Sequence, residues 1–435
     1  VTAQFREQKL QDTPLSITAV DSTLLESRNQ TDLSQIARNA PNVTLNAMGG
    51  AYGSSLGASI RGIGQFDFNP AYEPGVGMYV DDVYYATLTG GVFDLLDLER
   101  VEVLRGPQGT LTGRNSIGGA IKLFSKKPTD ENSGSVSATY GSRQRTDVRA
   151  SANFVLSEGL YGRVSGVYKH QNGYVDQVDY GCAHPGNADG IGMFPNSGPD
   201  CVMSKLGEVN YSGVRGSLRY NPSSTVDITV SADYTHEDRA NSAEVVTQTA
   251  AGLSQFNCGK WCTYASFYMP AGGQVTQGYF MPARTKFDGW GVSANAKFDL
   301  SDSLNIQSIT AYRDYRQIWG TDDDFSPNPA KAAGGYNDLS FWFFSQELRL
   351  NGKIGDMAEF TLGGFYSDQK SVYFTRQDIH YIAPGLNFQF LGNDPVNADS
   401  KAVFATVIAK PVENLTLTGA AAINGTGNGL GNVIT

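Results

Sequence analysis

The chain has 435 residues, of which 17% are charged and 40% hydrophobic, with 50 Gly, 22 Tyr, 22 Phe and a formal net charge of −10. That negative balance, with no cluster of Lys and Arg, gives nucleic-acid binding no support. No run of about 18 apolar residues exists to encode a transmembrane helix, yet a closed β-barrel also satisfies its backbone internally and so stays open as a membrane solution.

The first 130 residues read as a small α+β domain. TDLSQIARNAPNV (31–43) predicts a short helix capped by Thr31, with Leu33 and Ile36 facing inward and Pro41 as its stop. GVGMYVDDVYY (75–85) and LERVEVLRG (98–106) predict two strands, with a helical turn over DLLDLE (94–99). The glycines Gly106, Gly109, Gly113, Gly118 and Gly119 read as turn formers; their spacing fits neither a Walker loop nor a dinucleotide fingerprint.

From about residue 131 the pattern changes to repeated alternation. In 225–235, Val226, Ile228, Val230, Ala232 and Tyr234 share one face, and Asp227, Thr229, Ser231 and Asp233 the other. The same holds for 160–170, for 290–300 and for 341–350, where Trp342, Phe344, Leu348 and Leu350 oppose Ser345, Glu347 and Arg349. Long runs with one apolar and one charged face fit a membrane barrel strand better than a soluble sandwich. Connections also sort by parity: tight ones at 156–159, 221–225, 300–303, 351–356 and 411–414 alternate with long ones at about 171–209, 239–285, 319–337 and 375–399. Strands are expected near 135–141, 145–156, 160–170, 210–220, 225–238, 286–300, 304–318, 338–350, 358–374, 400–410 and 414–422. About eleven strands cannot close around a domain of this size, and an odd count breaks the even rule. The chain is therefore expected to be incomplete at its C-terminus, and with no Met at its start it reads as a mature or trimmed product.

SIRGIG (59–64), PGVGMYVDDVY (74–84) and above all LERVEVLRGPQGTLTGRNSIGGAIKLFSKKP (98–128) resemble the TonB-dependent receptor family, as does SQELRL (345–350) for its iron-complex branch. The resemblance implies a mainly β fold. Residues 1–130 would form a plug in the lumen, and 131–435 the first part of an outer-membrane barrel, about 11 of ~22 strands. Thr112 departs from the family, which usually has an aromatic there. The mechanism implied is active transport. A small-molecule ligand, foremost a ferric siderophore, binds outside; TonB with ExbB–ExbD then pulls on the plug. Vitamin B12, haem or an oligosaccharide as cargo, or a signalling receptor, are the alternatives. No enzyme motif, cofactor, metal site or nucleic-acid partner is expected, and the protein is expected to be monomeric among outer-membrane lipid and lipopolysaccharide. Val1, Thr2 and Ala3 are the remnant of the TonB-coupling box.

Arg61, Arg105 and Arg114 lie in Gly-rich plug segments, and an enclosed charge must be paired or wet. Either Glu347 on the lumenal face pairs with Arg105 or Arg114, or these arginines bond backbone carbonyls within the plug. The candidate ligand-binding side chains are Phe66, Asp67, Phe68 and Tyr72 in the plug and Trp261 and Tyr264 in a barrel loop, with Phe267 and Tyr268 beside them; packing on the wall is the other reading. Disulfides Cys182–Cys201 and Cys258–Cys262 are expected in the outer loops, one of three possible connectivities.

Overall fold

The computed structural model describes the chain apart from residues 1–12, 14, 29, 31, 49–52, 68, 70, 91–96, 110–112, 195–196, 250–251, 266–267, 270–278, 281–282, 329–332, 356, 384–385, 410–413, 416–432 and 435. β1 (Ile17–Asp21) leads into a short helix, Ser22–Ser27, capped by the Asp21 carboxylate on the Leu24 amide at 2.8 Å. The next helix covers only Leu33–Ile36, continued by a 3-10 turn over Ala37–Asn39. Its cap is Asp32, which accepts from the Gln35 amide; Thr31 lies outside the described residues. Leu33 and Ile36 are fully buried, as their helical spacing requires.

β2 (Val43–Ala47), β3 (Leu56–Ile60) and β4 (Ile63–Gln65) form one small sheet. β5 (Val76–Val80), β6 (Val83–Tyr85), β7 (Leu98–Arg105) and β8 (Gly119–Ser125) join β1 in a second, in the order β1-β7-β8-β5-β6. The segment 75–85 is thus a hairpin and not the single strand expected. Asp81 and Asp82 both take positive φ (51° and 67°), the twist that a two-residue hairpin turn needs and that Asp tolerates. The helical turn expected at 94–99 falls largely outside the described residues, and Leu98 already belongs to β7.

From Ser133 the chain builds one antiparallel wall. β9 (Ser133–Gly141), β10 (Arg145–Ser157) and β11 (Leu160–Gln171) come first. β12 (Val175–Val178) and β13 (Val202–Leu206) belong to the following loop, then β14 (Val209–Ser223) and β15 (Val226–Ala240) resume the wall. After β16 (Cys262–Tyr264) and the two-residue strands β17 (Tyr268–Met269) and β18 (Tyr279–Phe280) come the longest members. These are β19 (Arg284–Ser301), β20 (Leu304–Asp322), β21 (Ala333–Ile354), β22 (Ala358–Ala383) and β23 (Leu386–Ala409). Ten of these strands run edge to edge in the order β23-β22-β21-β20-β19-β15-β14-β11-β10-β9, so the described residues form an open wall and no closed barrel.

Two expectations near the end of the wall need correcting. The segment 375–399 is not a long loop: β22 and β23 run through it, paired from Ala358↔Ala409 to Ala383↔Leu386. Asn393, Asp394 and Pro395 signal a turn, but Pro395 is tolerated because β23 is the edge strand, where a missing backbone donor costs little. The strand expected at 414–422 falls mostly outside the described residues. Its first two, Asn414–Leu415, pair in parallel with Val433–Ile434 and not with the wall.

Which face looks out is settled by packing. Ile309 and Ala311 enter the core of the first 125 residues, and Phe287, Tyr315, Trp319, Leu339, Phe341 and Phe343 pack on Tyr79, Tyr84, Leu104 and Ala120. The opposite face leaves Val148, Val164, Val214, Leu218, Val230, Val292, Leu348 and Leu362 exposed in a band. Tyr168, Tyr234 and Trp290 stand exposed on the side of the long loops, with Tyr220 and Phe298 on the side of the tight turns. An apolar band between aromatic girdles is the outer surface of a membrane barrel.

This facing yields an expected result. Val230→Arg, on the outer band, should destabilise the folded protein in bilayers by ~2–4 kcal/mol, the range for a midplane Arg. Thr229→Arg, whose side chain lines an internal polar cavity, should cost much less. Equilibrium unfolding of the two variants in lipid vesicles measures both, and the opposite ranking would overturn the register.

Candidate functional site

The first 125 residues sit against the inner face of the wall through two kinds of contact. One is apolar. Tyr84 meets Phe343 edge-on with ring centres 6.0 Å apart, and the Thr87 hydroxyl bonds at 2.8 Å the hydroxyl of Tyr315, which within the wall stacks on Phe341. Burial pushes the Tyr84 phenol up to about 12, so it stays neutral at any physiological pH. The cavity lined here by Tyr84, Tyr315, Phe341 and Phe343 has about 30 Å³, room for one or two waters.

The other kind is ionic. Arg163 of β11 donates from Nε and Nη2 to the two Asp97 carboxylate oxygens, at 2.5 and 2.7 Å. Arg215 of β14 donates to Asp81 at the hairpin tip and lies 4.0 Å from Asp233 of β15. Arg313 of β20 donates to both Asp233 oxygens, at 3.0 and 2.8 Å, and covers the Tyr85 ring at 4.3 Å. Lys127 reaches Asp227 at 3.6 Å, and the Ser54 hydroxyl donates to Glu237.

The arginines singled out in the sequence are elsewhere. Among the described residues Arg105 reaches the Pro41 carbonyl, at 3.5 Å, and Arg114 pairs with Glu73 at 3.3 Å, both inside the small domain. Arg61 is exposed, in a turn with φ 55°, beside Gly106. Glu347 accepts from Arg349, two residues along its own strand, at 2.5 Å; the expected pair with Arg105 or Arg114 is not made. Alternation puts Arg349 on the same lumenal face as Glu347, and a neighbour on one pleated face outcompetes a cation across the interface. Glu347 also acts electrostatically on the buried Lys122 of the small domain, opposite Glu102 in β7, whose ammonium burial pushes below its ordinary range. Sequence reasoning missed Asp81, Asp97, Arg163, Arg215 and Arg313. A carboxylate at a hairpin tip looks like a solvated turn residue until the wall is placed beside it.

At the apex, Phe66 and Tyr72 are exposed, Asp67 accepts from the Asn69 amide at 2.9 Å, and Phe68 lies outside the described residues. The Phe66 ring lies across Gly57, where any Cβ would fall 2.6 Å from it, so that glycine seats the aromatic. Val1, Thr2 and Ala3 lie outside the described residues, and so does Phe267; nothing is described of the Tyr268 side chain.

The outer loops fold on each other. β12 pairs with β13 and, in parallel, with β16, joining the 172–208 and 241–283 loops in one sheet. Cys182 is bonded to Cys201 and Cys258 to Cys262. Beneath them Tyr180, Ile191, Phe256 and Tyr264 form a small core, with Tyr264 bonding His184 Nε2 at 3.0 Å. Tyr264 is therefore buried and structural, correcting its reading as a ligand contact; Trp261 stays exposed with Lys260 over its ring at 4.7 Å. No metal-ligating cluster occurs among the described residues.

The loop after β20 carries a titration. Asp324 accepts from the Ala333 and Ser326 amides, at 2.8 and 3.1 Å, and burial beside Asp322 raises its carboxyl to about 8. A raised folded value means the folded loop holds the proton more tightly than the open one. The stabilisation is complete below about pH 4 and is lost as pH rises towards about 8. Amide exchange at Ser326 and Ala333 should accelerate between about pH 4 and 8 beyond its intrinsic rise, and show no further excess above that. Asp324→Asn should abolish the excess; an excess that survives the substitution would place the titrating group elsewhere.

A small α+β domain lodged on the inner face of a girdled antiparallel wall defines the class: a plugged outer-membrane barrel. Residues 9–120 match the family described as the TonB-dependent receptor plug domain. That match places a TonB-dependent receptor plug domain at residues 9–120, and over more of its length the chain is similar to TonB-dependent siderophore receptors of bacteria. It is 25% identical over 380 residues to the probable TonB-dependent siderophore receptor PiuA of Acinetobacter baumannii, covering 83% of this chain and 44% of that one. It is 30% identical over 172 residues to the ferripyoverdine receptor of Pseudomonas aeruginosa, 39% of this chain and 20% of that one. The crystal structure of PiuA from Acinetobacter baumannii superposes with a TM-score of 0.64 at 17% identity, covering 92% of this chain and 56% of that one. The chain thus spans less than half the length of these curated relatives.

Proposed function

We propose that the protein takes up a ferric siderophore across the outer membrane, powered through TonB. The observation that carries this is the plug itself: a folded domain that fills the inner face of the wall with a dry contact and several ion pairs, and so blocks diffusion. Two relatives named as a ferripyoverdine receptor and a probable siderophore receptor support the cargo class. Residues 1–130 act as the plug and 131–435 as wall, the boundary falling between Lys127, still paired to the wall, and Ser133, where β9 begins. Phe66, Asp67, Phe68 and Tyr72 at the apex, with Trp261 above, meet the ligand. Val1, Thr2 and Ala3 belong to the segment TonB grips, with ExbB–ExbD supplying proton-gradient work. Lipid and lipopolysaccharide contact the girdled face, and no bond in the ligand changes.

The test is uptake of radioactive iron by a deletion strain carrying the intact gene, offered as ferric hydroxamate, ferric catecholate, haem or mixed-type complexes, with and without TonB. TonB-dependent accumulation from a siderophore complex is the expected result. Uptake confined to haem, or growth restored only by vitamin B12 or an oligosaccharide, would reassign the cargo. A change in gene expression without uptake would make it a signalling receptor.

A further inference from the structure

The plug is dry on one side and wet on the other, and the wet side is organised as a passage. Between the Asp81–Asp82 hairpin tip and β14, β15, β19 and β20 lies a cavity of about 420 Å³, walled by Ser217, Ser231, Ser293 and Asn295. A second, of about 740 Å³, continues to the tight turns, walled by Lys297, Asp299, Asn305 and Asn351. Asp82 and Gln307 border both. The cavity among Tyr84, Tyr315, Phe341 and Phe343 has about 30 Å³ by comparison.

The upper end of this space is closed by charge. Ser217, Ser231 and Ser293 stand in one register row, and two residues further from the tight turns is the row Arg215↔Asp233↔Gly291↔Arg313. Arg215 holds Asp81 of the plug, Asp233 holds both arginines, and Arg313 lies over Tyr85. Gly291 makes the row continuous. A Cβ there would fall 2.5 Å from the Arg313 Nη1, so only glycine lets that guanidinium cross β19 to Asp233. The arrangement joins plug to wall through the Asp81–Arg215 ion pair and through Tyr85 beneath Arg313, while the Asp233 pairs belong to the wall. Losing the Asp81–Arg215 pair loosens the hairpin tip and leaves the Asp233 pairs in place.

We infer that the path through this receptor runs along the polar side of the plug, and that Asp81, Arg215, Asp233 and Arg313 form its closed gate. This rests on the transporter reading. The serine, asparagine and lysine lining suits a hydrated, polar cargo, because such a solute keeps hydrogen-bond partners along the way.

The experiment is ion conductance of the full-length receptor in planar bilayers under potassium chloride, with heat-modifiable gel migration as the check on folding. Asp81→Asn and Arg215→Gln should raise the frequency of open events about tenfold or more, as loss of a charge-assisted contact does to a two-state equilibrium. Tyr84→Leu, on the dry side, should leave the channel shut. Leak from Tyr84→Leu with none from the gate variants, or equal leak from both, overturns the assigned path. A form lacking residues 1–130 must conduct; if it does not, the barrel reading fails and the gate with it.

Discussion

Phe343→Ala should destabilise the seated plug by ~3–5 kcal/mol, the range for deleting a fully buried Phe. Phe343 is 1% exposed, on the inner face of β21, with Phe341 on the same face and the Tyr84 ring of the plug against it. The loss includes the transfer of the ring and a cavity that β21, held by hydrogen bonds on both sides, cannot collapse to fill. Phe344, the next residue, points to the lipid and touches Tyr366 at 6.2 Å. Acyl chains are as apolar as the ring they would replace, so Phe344→Ala should cost well under ~2 kcal/mol. Denaturant unfolding in detergent, followed by protease digestion of the plug, separates the two: Phe343→Ala should make the plug digestible at lower denaturant while the wall unfolds as before. Equal losses for the two variants would mean the plug does not rest on this face.

The same pair shows how much was legible in the sequence. Alternation placed Val230, Val292, Trp342 and Leu348 on one face and Thr229, Ser293 and Glu347 on the other, and the wall obeys it. Period two reports only that successive side chains point oppositely. It cannot say that Leu339, Phe341 and Phe343 also meet an apolar partner, since a wet lumen and a plug present the same pattern along one strand. The hairpin at 75–85 was hidden for a local reason: Asp-Asp is a rarer turn than Asn-Gly, and seven apolar or aromatic neighbours mask it. Chain continuity hid the ionic contacts. Asp81 and Arg215 are far apart in sequence, and nothing local marks a turn aspartate as one that will meet an arginine on a strand laid down later.

Asp97→Asn should cost ~3–5 kcal/mol in plug seating, the penalty for stranding one member of a buried pair. The Arg163 and Asp97 side chains are 12% and 10% exposed, and both bonds of the fork are short. Asn suits the φ of 54° at this position, so the substitution removes charge without adding the strain that alanine would bring. Arg163→Met, which takes the guanidinium away as well, should recover part of the loss. The double variant should then be less destabilised than the sum of the singles by ~1–3 kcal/mol. Strict additivity would show that water, and not the partner, satisfies each charge. The pair differs from the Asp81–Arg215 contact in its neighbours. Asp97 also accepts the Lys126 amide through its backbone carbonyl at 2.9 Å, close to where the chain passes from plug to wall at Ser133. Arg215 is shared with Asp233, whereas among the described residues Arg163 has no second carboxylate partner and adds the Ser151 hydroxyl at 3.3 Å. A guanidinium with an alternative carboxylate can release the plug cheaply; one whose only carboxylate is the plug's cannot. Pulling from the N-terminal side should therefore part Asp81 from Arg215 while Asp97 and Arg163 hold the plug's other end to the wall.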